Sequence, residues 1–204
     1  MALSKLRAEL AEILPDKGIS EINEFQVKII DAAKAGKNIL GTGPEGSGKT
    51  TAILLSVLQK ITEPGEGSPR AIIVCSTDQK AIELHAQFHR ICRNLDLTVD
   101  LANEKGNQIQ QRNDIFDGTE IIVGTMRRIY DLYIQNGINV SQLKMFILDD
   151  ALTLFKDGHK MKIERVVESL PKCQQMLFSS TMKDYRVQEY IEQFIPYAVS
   201  IETE

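Results

Sequence analysis

Residues Gly43 to Thr50 read GPEGSGKT and match the pattern GxxxxGK[ST] at every position. Glycines let a backbone wrap closely around anionic oxygens, because positive φ and close approach cost them little. The run that follows, TTAILLSVLQKI, has the period of a helix, so its free N–H groups point back at what the loop holds. In such a loop Lys49 reaches the β- and γ-phosphates of a nucleotide and the Thr50 hydroxyl ligates Mg²⁺. Pro44, Glu45, Gly46, Ser47, Gly48 and Thr51 complete the wrap. The plain alternative is a Gly-rich turn that only caps a helix. The apolar strand before it and the helix after it favour the phosphate loop.

A phosphate loop needs a second carboxylate to organise the metal, at the end of a neighbouring buried strand. KMFILDD supplies Asp149, which closes the apolar run Met145 to Leu148. A polar strand end is common in any α/β domain, and its place about 100 residues after the loop is what points to the metal. Asp150 comes next. It could orient or deprotonate an attacking water, cap the helix that follows, or do both. No [NT]KxD segment occurs, which weighs against a guanine nucleotide.

These residues need a frame of strands and helices. Strand candidates are Asn38–Gly41, Ala71–Cys75, Leu97–Leu101, Glu120–Gly124, Lys144–Asp149, Gln175–Ser179 and Ala198–Ile201. Helical periods fall between them at Thr50–Ile61, Gln79–Asn94, Met126–Asn136, Met161–Leu170 and Tyr185–Phe194. The alternation predicts an α/β fold with a mainly parallel sheet and helices on both faces. Ligands of such sheets bind beyond the carboxyl ends of the strands. ITEPGEGSPR, residues 61–70, reads as a flexible surface loop.

Composition narrows the class. The chain has 204 residues, enough for one domain with a sizeable core. No stretch approaches the ~18 apolar residues of a membrane span, and MALSKLRAELAEIL carries charges inside its apolar stretch, unlike a signal peptide. Cys75, Cys92 and Cys173 form no CxxC pair and read as reduced thiols. A cytoplasmic protein without membrane attachment is expected. The net charge of −4 argues mildly against a broad basic surface for nucleic acid.

Other features carry less. His85, His89 and Cys92 share one helix face at metal-ligand spacing, but without a fourth ligand an amphipathic face is the better reading. Arg127 and Arg128 could hold phosphate or begin a solvated helix. Tyr130 and Tyr133, at i and i+3, read as packing inward. KDGHKMK, residues 156–162, reads as a solvated face.

In order along the chain, these segments resemble the amino-terminal RecA-like ATP-binding domain of the DEAD-box RNA helicases, from about Lys17 to Glu204. KGISEINEFQVKIIDAAKAGKNIL resembles the Q motif, and GPEGSGKT motif I. AIIVCSTDQKAIEL resembles motif Ia, with Ser76, Thr77 and Ala81 in register. IIVGTMRRIYDLY resembles motif Ib, ILDDALTLF stands where the DEAD tetrad would be, and MLFSSTM where SAT would be. The resemblance implies ATP hydrolysis coupled to RNA remodelling. Gln26 would select adenine through its amide. Lys49, Thr50 and Asp149 would hold ATP and Mg²⁺, and Asp150 would take the water-activating role. Thr77, Thr125 and Arg128 would hold the RNA backbone. Ser179 and Thr181 would couple nucleotide to RNA.

The sequence departs from the pattern at several points. The tetrad reads DDAL, so Asp150 is one methylene shorter than Glu and Leu152 replaces an acceptor. Asp78 stands where the family has Arg, Met126–Arg127 where it has Pro-Gly, and no aromatic residue precedes Phe25. Residues 1–204 read as one such domain, with the second RecA-like domain, which supplies arginine fingers, outside this chain. A domain by itself is then expected to bind ATP and hydrolyse it slowly, needing that second domain or a partner protein. The alternative is a degenerate, non-catalytic ATP-binding or protein-interaction module.

Overall fold

Seven strands pair in one wholly parallel sheet in the computed structural model, which describes residues 3–65 and 67–203. Met1 and Ala2 of the stretch read for a leader, Glu66 of the expected surface loop and Glu204 at the end of the resemblance lie outside the described residues. The strands are β1 Ile39–Thr42, β2 Ala71–Cys75, β3 Val99–Ala102, β4 Ile121–Thr125, β5 Met145–Asp149, β6 Gln174–Ser179 and β7 Val199–Glu202. Their spatial order is β3-β4-β2-β5-β6-β1-β7. The helices are α1 Ala8–Ile13, α2 Glu24–Lys34, α3 Lys49–Lys60, α4 Asp78–Cys92, α5 Gln108–Gly118, α6 Met126–Ile134, α7 Ala151–Lys156, α8 Lys160–Val167 and α9 Tyr185–Phe194.

Side chains alternate across the sheet with a period of two. Ala71, Ile73 and Cys75 of β2, Met145 and Ile147 of β5, and Met176 and Phe178 of β6 enter one core with α1 to α4. Ile72, Val74, Phe146, Leu148 and Leu177 enter a second core, which α6 to α9 cover. Burial on both faces explains why the central strands read as unbroken apolar runs. No helix among the described residues is long and apolar enough to cross a membrane.

The expected strands and helices form with shifted ends. Leu97 is the amino end of an expected strand but belongs to the turn leaving α4, where its N–H donates to the Cys92 carbonyl at 3.2 Å and Asp96 takes φ 53°. α6 stops at Ile134, because Asn136 turns left-handed (φ 55°) and the Gly137 N–H returns to Leu132 at 2.8 Å. α1 and α5 carry too short or too polar a stripe to announce themselves; of α5 only Ile115 is buried. Residues 61–65 and 67–70 form the expected loop, exposed at 62–65 and 67 and anchored at its end. Ser68 and Arg70 are buried, and the Arg70 guanidinium donates to the Glu63 carbonyl and faces Glu120 at 3.9 Å.

Strand order corrects one expectation. The strand of Asp149 does not neighbour the strand that feeds the phosphate loop. β6 lies between β5 and β1, so the Ser179 segment separates the two.

Candidate functional site

The loop GPEGSGKT leaves β1 and turns into α3 at Gly48, whose φ of 91° is left-handed. A side chain at Gly48 would also strike the Gln26 amide packed behind it. No side chain caps α3, and its first turn holds no carboxylate, so its leading N–H groups are open to an anion. The loop is braced from two sides. The Gly43 N–H donates to the Ser179 carbonyl at 3.3 Å, and the Asn23 and Gln26 amides donate to the carbonyls of Ser47 and Gly48 at 3.2 and 3.3 Å.

Glu45, Gly46, Gly48, Lys49, Thr50 and Thr51 line a cleft of about 520 Å³ together with Asp149 and Asp150. Pro44 and Ser47, with Asn23, Phe25 and Lys28, line a second hollow of about 460 Å³ on the other side of the loop. The phosphate loop therefore forms a partition between two open spaces.

Charge in the first cleft is tightly arranged. The Lys49 ammonium folds back on the Gly43 and Pro44 carbonyls, both at 2.5 Å. Burial lowers its pKa, and Asp149 and Asp150 only partly restore it. Asp149 is 6% exposed, and burial raises its carboxyl to about 6, with Asp150 adding to the shift while Lys80 and Lys49 oppose it. A buried carboxylate and a hydroxyl on the facing loop are hard oxygen donors, the set that suits Mg²⁺. Among the described residues no cluster of three or more His, Cys, Asp or Glu could hold a metal by itself. Mg²⁺ in nucleotide sites takes few protein ligands and completes its shell with phosphate and water, so a site for it need not form such a cluster.

Asp150 begins α7 in a left-handed conformation (φ 67°) and makes no cap bond with its side chain. The carboxylate turns into the cleft instead, 3.2 Å from Lys80 Nζ and 3.5 Å from Ser76 Oγ. Of its two expected roles, the helix cap does not form.

Other expected residues fall outside the cleft. Gln26 is buried and lines neither hollow. Its Oε1 accepts from the Asn23 N–H at 2.9 Å while Nε2 donates to Gly48, which leaves one N–H and one lone pair for a ligand. Ser179 is buried, and its hydroxyl accepts from the Thr181 N–H at 3.4 Å. Thr77 caps α4 and is exposed. Thr125 caps α6 and donates to Glu104 at 2.6 Å. Arg128 is buried and donates to the Gly106 carbonyl at 3.2 Å and to Gln111 Oε1 at 2.7 Å. His85 hydrogen-bonds the Val99 carbonyl at 3.1 Å and stacks on His89, and Cys92 is buried.

Lys80, Glu83, Leu84, Gln87 and Thr153 also line the cleft and were not singled out in the sequence, and Ser180, from the segment that stands where SAT would be, lines it too. Lys80 is the chemically notable one. Burial works against its charge, but the hydrogen bond and charge of Asp150, with Asp149, leave its pKa raised. Its only sequence signal is a place in the first turn after β2, and that turn overhangs Asp149 only because β2 adjoins β5.

A profile of the DEAD/DEAH box helicases matches residues 23–190. Among curated proteins, the ATP-dependent RNA helicase RhlB of Sodalis glossinidius is 29% identical over 96% of this chain and 49% of its own length. RhlB of Shigella boydii is 28% identical over 98% and 49%. The chain thus spans about half the length of the curated relatives it matches. A DEAD box protein from Methanococcus jannaschii superposes with a TM-score of 0.89 at 23% identity, over 98% of this chain and 54% of that one. Dbp5 of S. cerevisiae, bound to gle1 and ip6, gives 0.83 at 25% identity, over 98% and 51%.

Proposed function

This chain belongs to the DEAD/DEAH box helicase family, and we propose that it is the MgATP-gripping unit of an ATP-dependent RNA helicase. The observation that carries the proposal is the convergence of Lys49, Thr50, Asp149 and Asp150 on one cleft from two strands that are not neighbours. In this reading Lys49 leaves its backbone carbonyls for the β- and γ-phosphates, and the open N–H groups of α3 hold the phosphate chain. Thr50 and Asp149 hold Mg²⁺, which when bound neutralises charge on the phosphates. Asp150 accepts a hydrogen bond from the attacking water. The base lies in the second hollow, on the Phe25 and Pro44 side, and Gln26, buried behind the loop, turns its amide from the Gly48 carbonyl toward it when nucleotide binds.

Asp150 is one methylene shorter than glutamate and is tied to Lys80, so chemistry in this unit alone is slow. An error of about 1 Å in placing a reacting group can cost on the order of 100-fold in rate. A second RecA-like unit, on the same or another polypeptide, supplies the missing arginine, a contribution of roughly 10³–10⁵. RNA lies against the Thr77, Thr125 and Arg128 region, and the Ser179–Thr181 segment relays nucleotide state to it. The Gly43 to Ser179 hydrogen bond is the physical link for that relay.

The test is nucleotide titration by calorimetry with Mg²⁺ present. ATP should bind, GTP should bind more weakly, and Gln26→Ala should erase the difference. Equal binding of GTP by the unaltered protein would refute the adenine assignment. Turnover near the ~10 s⁻¹ typical of enzymes, without any second unit, would refute slow hydrolysis. The ion pair of Asp150 with Lys80 favours a second reading, a non-catalytic ATP-binding module. That reading requires turnover to stay at background even when a complementary RecA-like unit and RNA are added.

A further inference from the structure

Lys80 is a cation in the nucleotide cleft that the phosphate-loop chemistry does not use. It reaches the cleft from the first turn of α4, which rises from β2. In the order β2-β5-β6-β1, that places it across Asp149 from the phosphate loop. A phosphate chain held by the loop and directed along the cleft presents its terminal group, and no earlier one, to that side.

We propose that Lys80 is a terminal-phosphate sensor: its ammonium exchanges Asp150 for a γ-phosphate oxygen when a nucleoside triphosphate fills the cleft, and so releases Asp150 toward water. The inference rests on the MgATP site proposed above.

Three observations carry it. First, Lys80 lines the same cleft as Lys49, Thr50, Asp149 and Asp150. Second, the contact it would give up is cheap to break. Nζ lies 3.2 Å from Asp150 Oδ2, but the two side chains are 42% and 23% exposed, and ion pairs so open to water hold weakly. The lysine stem has four rotatable bonds, so Nζ can swing without backbone movement. Third, the surroundings are acidic. Asp149, Asp150 and Glu45 all raise the affinity of Lys80 for its proton, so it stays a cation, and a phosphate dianion is a stronger attractor than one carboxylate. Asp150 makes no cap bond to α7, and its one other side-chain hydrogen bond among the described residues is a long one, from the Ser76 hydroxyl at 3.5 Å.

A diphosphate lacks the group that Lys80 would meet, so the residue should separate ATP from ADP. Calorimetric titration of the whole chain with Mg²⁺ and either ADP or a non-hydrolysable ATP analogue tests this. Lys80→Met keeps the stem and removes the charge. It should weaken the analogue about 10- to 100-fold, the worth of one charge-assisted hydrogen bond, and ADP less than about 3-fold. Lys80→Arg should restore most of the analogue affinity. The loss should persist when Lys80→Met is added to Asp150→Asn, because the contact is to phosphate.

Equal loss of both ligands, or no loss of either, would overturn the sensor. So would a loss that vanishes in the Asp150→Asn background, which would make Lys80 only a counter-ion for Asp150. Melting temperatures of the variants should match the unaltered protein, and Lys80→Gln provides a second neutral variant. If the unaltered chain binds neither nucleotide, the MgATP site itself fails, a result separable from failure of the sensor alone.

Discussion

At the carboxyl ends of β1 and β5 the polar side chains face a cleft, whereas at the carboxyl end of β4 they face the fold. Lys49 rests on backbone carbonyls of its own loop and Asp150 on a half-exposed lysine. Those are partners that a phosphate or a water can replace. Thr125 and Arg128 are buried; the Thr125 hydroxyl donates to Glu104, and Arg128 Nη1 donates to Gln111 and the Gly106 carbonyl. A residue at a strand end is placed for ligand chemistry by the fold, but it is available only if its hydrogen bonds are exchangeable. In this structure the cleft at β1 and β5 meets that condition, and Thr125 and Arg128 at β4 are held by internal bonds.

Four measurements would break or sharpen the contrast. The largest effect is expected at the cleft. Lys49→Ala should cost ATP affinity on the order of 100-fold in titration, with melting nearly unchanged, because its present partners are carbonyls that water can satisfy. At the closed end the signs should reverse. Arg128→Ala should lower stability by about 1–2 kcal/mol in urea unfolding, since two half-buried acceptors lose their donor. The Arg128 Nε is itself buried without a partner, which offsets part of that loss. A variant as stable as the parent that instead binds RNA less well would place Arg128 with the exchangeable group.

Glu120, just before the amino end of β4, is a purely structural reference for both ends. Burial alone would raise its pKa, but hydrogen bonds from Thr98 and Gly65 and the Arg70 charge leave it lowered. A carboxyl depressed in the fold stabilises it above the unfolded value of about 4.3, and that contribution is lost as pH falls through the folded value. Glu120→Gln should thus cost about 1–2 kcal/mol at pH 7, and the gap to the parent should close below pH ~4 in the same unfolding assay. A gap independent of pH would show that the charge contributes nothing. The smallest effect is expected at Thr77, where removing the α4 cap by Thr77→Ala should cost about 0.5–1 kcal/mol. A loss of RNA binding at that small a cost in melting would make Thr77, beyond the carboxyl end of β2, an exchangeable member of the proposed RNA side.

Much of this molecule was legible before its coordinates. GPEGSGKT carries its own chemistry, because a phosphate loop is a local object: eight consecutive residues set the turn, the helix start and the lysine. Asp149 was legible because a buried run that ends in a carboxylate reports a strand end without reference to any neighbour. Strand and helix existence followed from period and burial, while their ends moved by a residue or a few where left-handed Asp96 and Asn136 redirect the chain. α5 stayed hidden because its surface is polar nearly all round.

The sequence alone therefore determined the Gly-rich loop, the ligand class proposed for it and the alternating α/β frame, since each is written in residues close together along the chain. Only the tertiary structure decided that β6 stands between β1 and β5, that Arg128 turns inward, and that Lys80 meets Asp150 at 70 residues' separation. Those outcomes depend on strand order and on competition among buried hydrogen bonds. Both are settled by packing the whole sheet at once, and no short stretch of sequence records them.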